Sequence, residues 1–270
     1  MKFNKKLALT IATVAMCVLV TVAFTACGSS ESSSSSSKKP TYTVATEPTY
    51  PPFDTTNDDG EIDGFDMDLI TAIGKDQGFK VKFKNEEFDA LIPSLKSGDS
   101  DIVIAAMKAT PERKKQVDFS DTYYTSGSYL MVMKDNDYIT DWSSFKKGGD
   151  YVVAAQTGTT CQDACDKLKE EGKIKKEVLL NQFTTCVQQL KTGEVDAVVV
   201  DKPVGDQLIA KHPNTYKIVG SGVNKGKFGI AVKKGNSELL DKINAGLKNV
   251  KEDGTFDKLL KKWDIESQDS

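Results

Sequence analysis

The chain has 270 residues, with 36 lysines and arginines against 39 aspartates and glutamates, a formal net charge of −3, and a single histidine. Charges of both signs are spread along it without a basic block, which excludes nucleic acid as the expected partner. His212 has no companions at metal-ligand spacing, so no metal site is expected, and nothing in the sequence asks for a cofactor.

In chain order, the first 27 residues read as a targeting segment. Lys2, Lys5 and Lys6 form a basic start, and Leu7 to Phe24 is almost uninterrupted apolar sequence. That run is also about long enough to span a bilayer as a retained anchor. The residues that follow favour cleavage, because Phe24-Thr25-Ala26-Cys27 resembles the lipobox of bacterial lipoproteins, in which the cysteine is lipidated and becomes the first residue. The similarity implies a lipid anchor on Cys27 at the outer face of the cell membrane. Losing the three lysines would take the net charge to about −6. Residues 28–39 are serine-rich and cannot bury enough apolar surface to offset chain entropy, so they are expected to form a flexible tether. About 230 residues remain, enough for one large or two medium domains.

Beyond the tether, short β-branched runs alternate with helical periodicity. Tyr42 to Ala45, Lys80 to Phe83 and Ile102 to Ala105 are expected strands, with helices over 66–77 and 88–96 between them. The pattern restarts with strands at Tyr151 to Ala154, Glu177 to Leu180 and Ala197 to Val200, separated by helices over about 160–170 and 184–191. Two α/β units are therefore expected. An internal echo supports the division: Leu95-Lys96-Ser97-Gly98-Asp99-Ser100-Asp101 and Leu190-Lys191-Thr192-Gly193-Glu194-Val195-Asp196 each stop a helix at glycine and launch an apolar strand. The units are joined by small-residue, hinge-like crossings at Thr125 to Ser128 and Gly220 to Gly226. After the second, a strand over 228–232 and two apolar helix faces, Leu239, Leu240, Ile243 and Leu247, then Phe256, Leu259, Leu260 and Trp263, need a core to cover. The tail is expected to return to the first unit. Cys161 and Cys165 share a predicted helix and Cys186 lies apart, so the three are either buried hydrophobes or allow one bridge from Cys186.

Four ordered motifs carry a family resemblance: Val44-Ala45-Thr46-Glu47-Pro48-Thr49-Tyr50-Pro51-Pro52-Phe53, Gly64-Phe65-Asp66-Met67-Asp68-Leu69, Thr110-Pro111-Glu112-Arg113-Lys114-Lys115, and Val117-Asp118-Phe119-Ser120-Asp121-Thr122-Tyr123-Tyr124. Over residues 41–264 the chain resembles the polar amino-acid substrate-binding proteins of ABC importers. The resemblance implies a two-lobed α/β fold of the type II periplasmic-binding class. Lobe 1 would comprise residues 40–126 and 223–270, and lobe 2 residues 127–222. The implied protein is a monomer that closes on an amino acid by hinge motion and delivers it to a membrane permease and its ATPase.

The same resemblance assigns site residues, and elementary chemistry agrees with several. Arg113 offers a rigid fork matched to a carboxylate and resembles the family's α-carboxylate clamp. Thr160, opening a helix after Gly158-Thr159, is the expected second donor, with Thr157 nearby. Asp201 ends an all-apolar strand, where an acid is costly unless paired with a cation, and by resemblance it holds the ligand ammonium. Tyr50 and Phe88 match aromatic positions that sandwich the ligand side chain, and Glu47 matches an acid that meets its polar end. Ala106 and Met107 belong to the same stretch, Ala106 through its carbonyl. Lys108 departs from the family's small hydroxyl residue, and either pairs with Glu47 or meets a second ligand carboxylate. Two rival readings, a dehydratase-like enzyme using Cys161 and a sensory receptor, share the fold. The enzyme lacks a histidine to activate Cys161.

Overall fold

The computed structural model describes residues 39–267. The predicted leader, Cys27 and the serine tether through residue 38 lie outside the described residues, as does the tail beyond 267.

The first half builds β1 (Thr41–Thr46), a small hairpin of β2 (Thr55–Thr56) and β3 (Ile62–Asp63), α1 (Phe65–Gln77), β4 (Lys80–Asn85), α2 (Leu91–Ser97), β5 (Ile102–Val103), α3 (Pro111–Lys114) and β6 (Val117–Phe119). The chain then runs through a long β7 (Tyr124–Met133) into β8 (Val152–Gln156), α4 (Thr160–Glu170), β9 (Lys176–Leu180), α5 (Phe183–Thr192), β10 (Ala197–Asp201) and α6 (Lys202–Lys211). It returns by a long β11 (Tyr216–Phe228) to β12 (Ala231–Lys233), α7 (Ser237–Glu252) and α8 (Thr255–Lys262).

These strands form two five-stranded sheets, ordered β4-β1-β5-β12-β6 and β11-β7-β10-β8-β9. In the first, β1 is parallel to β4 and β5, and β12 enters antiparallel between β5 and β6. The C-terminal helices follow β12 and pack on α1, burying Leu239, Ile243 and Leu247 with Ile70 and Ile73. The opposite face of the sheet is covered by Leu91 and Leu95 of α2. Each such side chain contributes roughly 1.5–3 kcal/mol of burial. The two crossings are strands rather than loops: Tyr124 of β7 pairs with Phe228 of β11, and the ladder continues into the second sheet with irregularities at Val219/Val223 and Val223/Gly226.

The echoed motifs are structurally equivalent. α2 ends at Gly98 and α5 at Gly193, both in the left-handed region with φ of 88° and 77°, where glycine avoids a Cβ penalty. The aspartate closing each copy then does the same job: Asp101 accepts from Thr43 N–H at 2.8 Å and Asp196 from Val152 N–H at 2.7 Å. Each carboxylate thus ties a new strand to its neighbour at the point where the parallel ladder begins.

No bridge joins the cysteines; Cys161, Cys165 and Cys186 are free and buried. Side chains alternate across a strand, and here Cys186 packs with Val198 and Val200 while Cys161 and Cys165 pack with Ala197 and Val199. Helices α4 and α5 therefore lie on opposite faces of the second sheet, and a sheet's thickness separates thiols that a disulfide would need within about 7 Å at their Cα atoms.

Candidate functional site

The carboxyl ends of β1, β5, β8 and β10 face a cavity between the two sheets that side chains nearly fill, leaving about 20 Å³, at the position that open α/β folds use for ligands. Its lining comprises Glu47, Tyr50, Phe88, Ala105, Ala106, Lys108 and Arg113 from one side, and Gln156, Thr159, Thr160 and Asp201 from the other. Eight of the ten binding residues expected from sequence therefore converge there. Met107 does not: it is 1 % exposed and packs with Leu91, Leu95 and Val117, because the chain is past the end of β5 and the positive φ of Ala106 redirects it, leaving Ala106 and Lys108 on the cavity and Met107 on the helix side. Thr157 is half-buried just before the helix, its N–H bonded to Leu180 O at 2.9 Å, and does not line the cavity.

Arg113 sits on the short helix α3, whose cap Thr110 accepts from its backbone N–H at 3.3 Å and whose first turn carries Pro111. The guanidinium lies over the Phe88 ring, 5.3 Å from its centroid. Its Nη1 donates to Lys108 O at 2.8 Å and its Nη2 crosses to Gly158 O at 2.9 Å. That contact brings it beside the start of α4, where Thr159 caps the helix through Gln162 N–H and the helix N-terminus favours an anion.

Lys108 pairs with Asp201 rather than Glu47. Its Nζ donates to Asp201 Oδ1 at 2.6 Å, Thr160 Oγ1 at 3.0 Å and Ser128 Oγ at 3.3 Å. Three acceptors satisfy the three donors of an ammonium, which is what permits a lysine that is 3 % exposed. Asp201 Oδ2 accepts from Tyr50 OH at 3.1 Å, and the Asp201 N–H returns to the same phenol oxygen. The cation that Asp201 requires at the end of its apolar strand is thus intramolecular. Glu47 takes a different partner, Gln156 Nε2 at 2.8 Å, together with Thr49 Oγ1 at 2.9 Å. Burial pushes the Glu47 carboxyl up, and the bonds from Gln156 and Thr49 partly offset it.

Of the three lining residues not expected to bind, Ala105, Gln156 and Thr159, Gln156 is the one with a functional side chain turned to Glu47. It is a polar residue ending the apolar strand β8, the same signal that singled out Asp201, and its amide also donates to Asn181 O at 2.9 Å.

Beneath the cavity, Ala106 adopts φ 44°, a conformation costing an L-residue roughly 1–2 kcal/mol. It is held there by its N–H donating to Asp66 Oδ2 at 2.7 Å, an oxygen that also accepts from Tyr123 OH at 2.9 Å. Asp54 lies close enough to feel Asp66 and is bonded by Thr46 Oγ1. Both carboxyls are fully buried. Burial pushes Asp66 up to about 7, and burial together with the Asp66 charge drives Asp54 well above the usual carboxylate range.

Gly158 packs directly against the other side. It has φ +76°, and a Cβ there would lie 2.9 Å from Asp89 Cβ and 3.2 Å from Asp89 Cα. Gly158→Ala therefore opposes the approach through the Asp89 contact, whereas the strain of its positive φ is present whether or not the two sides meet. With an overpacking cost of about 1–3 kcal/mol, ligand affinity by calorimetric titration is expected to fall roughly 5- to 150-fold; unchanged affinity would mean that the two sides do not need this contact.

Known proteins share this organisation. Residues 42–266 match the family described as bacterial extracellular solute-binding proteins, family 3. The arginine-binding extracellular protein ArtP of Bacillus subtilis is 35 % identical over 251 residues, covering 93 % of this chain and 95 % of that protein. The glutamine-binding protein GlnH of the same organism is 38 % identical over 207 residues, covering 76 % and 73 %. Among solved structures, an ancestral arginine-binding protein bound to arginine superposes with a TM-score of 0.78 at 44 % identity, covering 84 % of this chain and 99 % of that one. The fold is the two-lobed α/β type II periplasmic-binding fold, and the chain belongs to family 3 of the bacterial extracellular solute-binding proteins.

Proposed function

We propose that this protein is the extracytoplasmic substrate-binding component of an ABC importer, capturing a polar α-amino acid between its lobes and delivering it to a permease and its ATPase. The convergence of Arg113, Thr160, Tyr50, Phe88 and Asp201 from separate segments on one cavity carries this reading. Arg113 and the N-terminus of α4 take the α-carboxylate. Tyr50 and Phe88 flank the side chain, Glu47 meets its polar end, and the ammonium reaches Asp201 and the Ala106 carbonyl by displacing Lys108. Relatives named for arginine and for glutamine support the ligand class.

Lobe 1 comprises residues 40–126 and 223–270, and lobe 2 residues 127–222. The protein acts as a monomer tethered through lipidated Cys27 and the serine run. It performs no chemistry on its ligand: burial pushes the Cys161 thiol up to about 12, the opposite of an activated nucleophile.

A thermal-shift screen against the twenty amino acids and cystine tests the function. One or a few polar members are expected to raise the melting temperature, since a ligand binding only the folded state stabilises it by mass action. The same ligands should compact the protein in small-angle X-ray scattering. A screen without a responder would remove the amino-acid reading; a responder without compaction would remove hinge closure.

A further inference from the structure

We propose that Lys108 is a built-in counterpart of the ligand ammonium, so that this site also takes carboxylic acids lacking an α-amino group and holds them within about tenfold of the matching amino acids. The inference rests on the proposed carboxylate clamp of Arg113 and Thr160 and departs from that reading at the other end of the ligand. Lys108 Nζ spends its donors on Asp201, Thr160 and Ser128, at 2.6, 3.0 and 3.3 Å. Both Asp201 oxygens are engaged, the second accepting from the Tyr50 hydroxyl at 3.1 Å, and the Asp201 N–H donates to that same hydroxyl.

The pair spans the two lobes, so an opened cleft breaks it for any ligand; closing over an α-ammonium then leaves it broken or seats the ammonium beside a like charge. Closing over a carboxylate without the ammonium lets the pair form again. Arg113 and the start of α4 lie next to the pair and supply donors, and the pair itself is electrically neutral. Lys108 is also placed deliberately: its carbonyl is held by Arg113 Nη1 at 2.8 Å, and Gly226 leaves room for its stem, since a Cβ there would lie 2.9 Å from Lys108 Cδ. The residue is thus positioned by the same guanidinium that receives the carboxylate.

Calorimetric titration of the full folded chain with matched pairs tests this, using L-glutamate against 2-oxoglutarate and L-glutamine against 4-carbamoylbutanoate. In the wild type, the acid lacking the amino group is expected to bind no more than tenfold weaker than its amino-acid partner. Lys108→Thr, which frees Asp201, is expected to shift the affinity ratio at least tenfold toward the amino acid. Lys108→Gln serves the same purpose if the threonine variant does not fold. Amino acids binding only to the Lys108 variants would also support the assignment. A wild-type preference for the amino acid above tenfold, or a smaller shift in the variants, overturns it. Amino acids bound normally with the deaminated acids rejected would overturn this inference alone, as would no binding of either pair to any variant; the amino-acid site itself falls only if the thermal-shift screen of all twenty amino acids also has no responder.

Discussion

Replacing Arg113 by alanine is expected to weaken binding of the amino acid identified by thermal shift about 100-fold or more. Truncating one partner of a buried, charge-assisted contact costs roughly 2–5 kcal/mol, and each 1.4 kcal/mol is about tenfold in affinity. Three things are lost together: the fork for the carboxylate, the support of Lys108 O, and the crossing contact to Gly158 O. Arg113→Lys should fall between wild type and alanine, because it keeps the charge without the bidentate geometry. Calorimetric titration reads both variants. A loss below tenfold in the alanine variant would place the carboxylate elsewhere.

The second large effect concerns stability. Asp54 and Asp66 titrate near 3.9 in an unfolded chain, whereas in the fold burial raises Asp66 to about 7 and Asp54 well above its usual value. With raised folded values, the unfolded chain releases its protons first as pH rises. The stabilising contribution is therefore complete below about pH 4 and is lost progressively as pH climbs through 7. Urea denaturation between pH 4.5 and 8 is expected to show stability falling on the order of 1.4 kcal/mol per pH unit for each proton involved. Asp118 and Asp141, whose bonds to Lys234 and Ser143 lower them, act in the opposite direction, but their window lies below this range. Asp54→Asn retains an acceptor for Thr46 while removing one charge, so it should flatten the slope and raise the melting temperature at pH 8. A wild-type profile that is flat or rises over this interval would show that the pair does not hold a proton.

Much of the fold was legible because its signals are local. The β-branched runs, the helical periods and the glycine stops at Gly98 and Gly193 place most of the elements by themselves. Elements that depend on remote partners were harder. Helix α6, beginning at Lys202-Pro203, has no counterpart among the expected elements, although proline is well suited to a first helical turn where its missing N–H has no role. Residues 220–226, rich in glycine and lysine, read as a loop, yet pairing with β7 draws them into β11 because sheet context outweighs intrinsic preference. At the site, residue types and motifs brought Arg113, Thr160 and Asp201 forward. The partner of Lys108 was out of reach, since it lies 93 residues away and every acid in the cleft was a candidate on charge alone. Met107 shows the converse limit: proximity in sequence says nothing about which way a side chain turns once the chain has left its strand.

The position of β12 has a consequence for the order in which the molecule is made. Ile102 pairs with Val232 and Val117 with Lys233, so the first sheet is interrupted between β5 and β6 until β12 emerges. β6 has no other neighbour in that sheet, and α1 waits for α7 to cover it. The second sheet draws all five strands from one continuous stretch ending at Phe228, with parallel units closed over short separations. During synthesis the N-terminal lobe is therefore the last to be completed, and its exposed β5 edge is the part of the nascent chain most dependent on uninterrupted elongation.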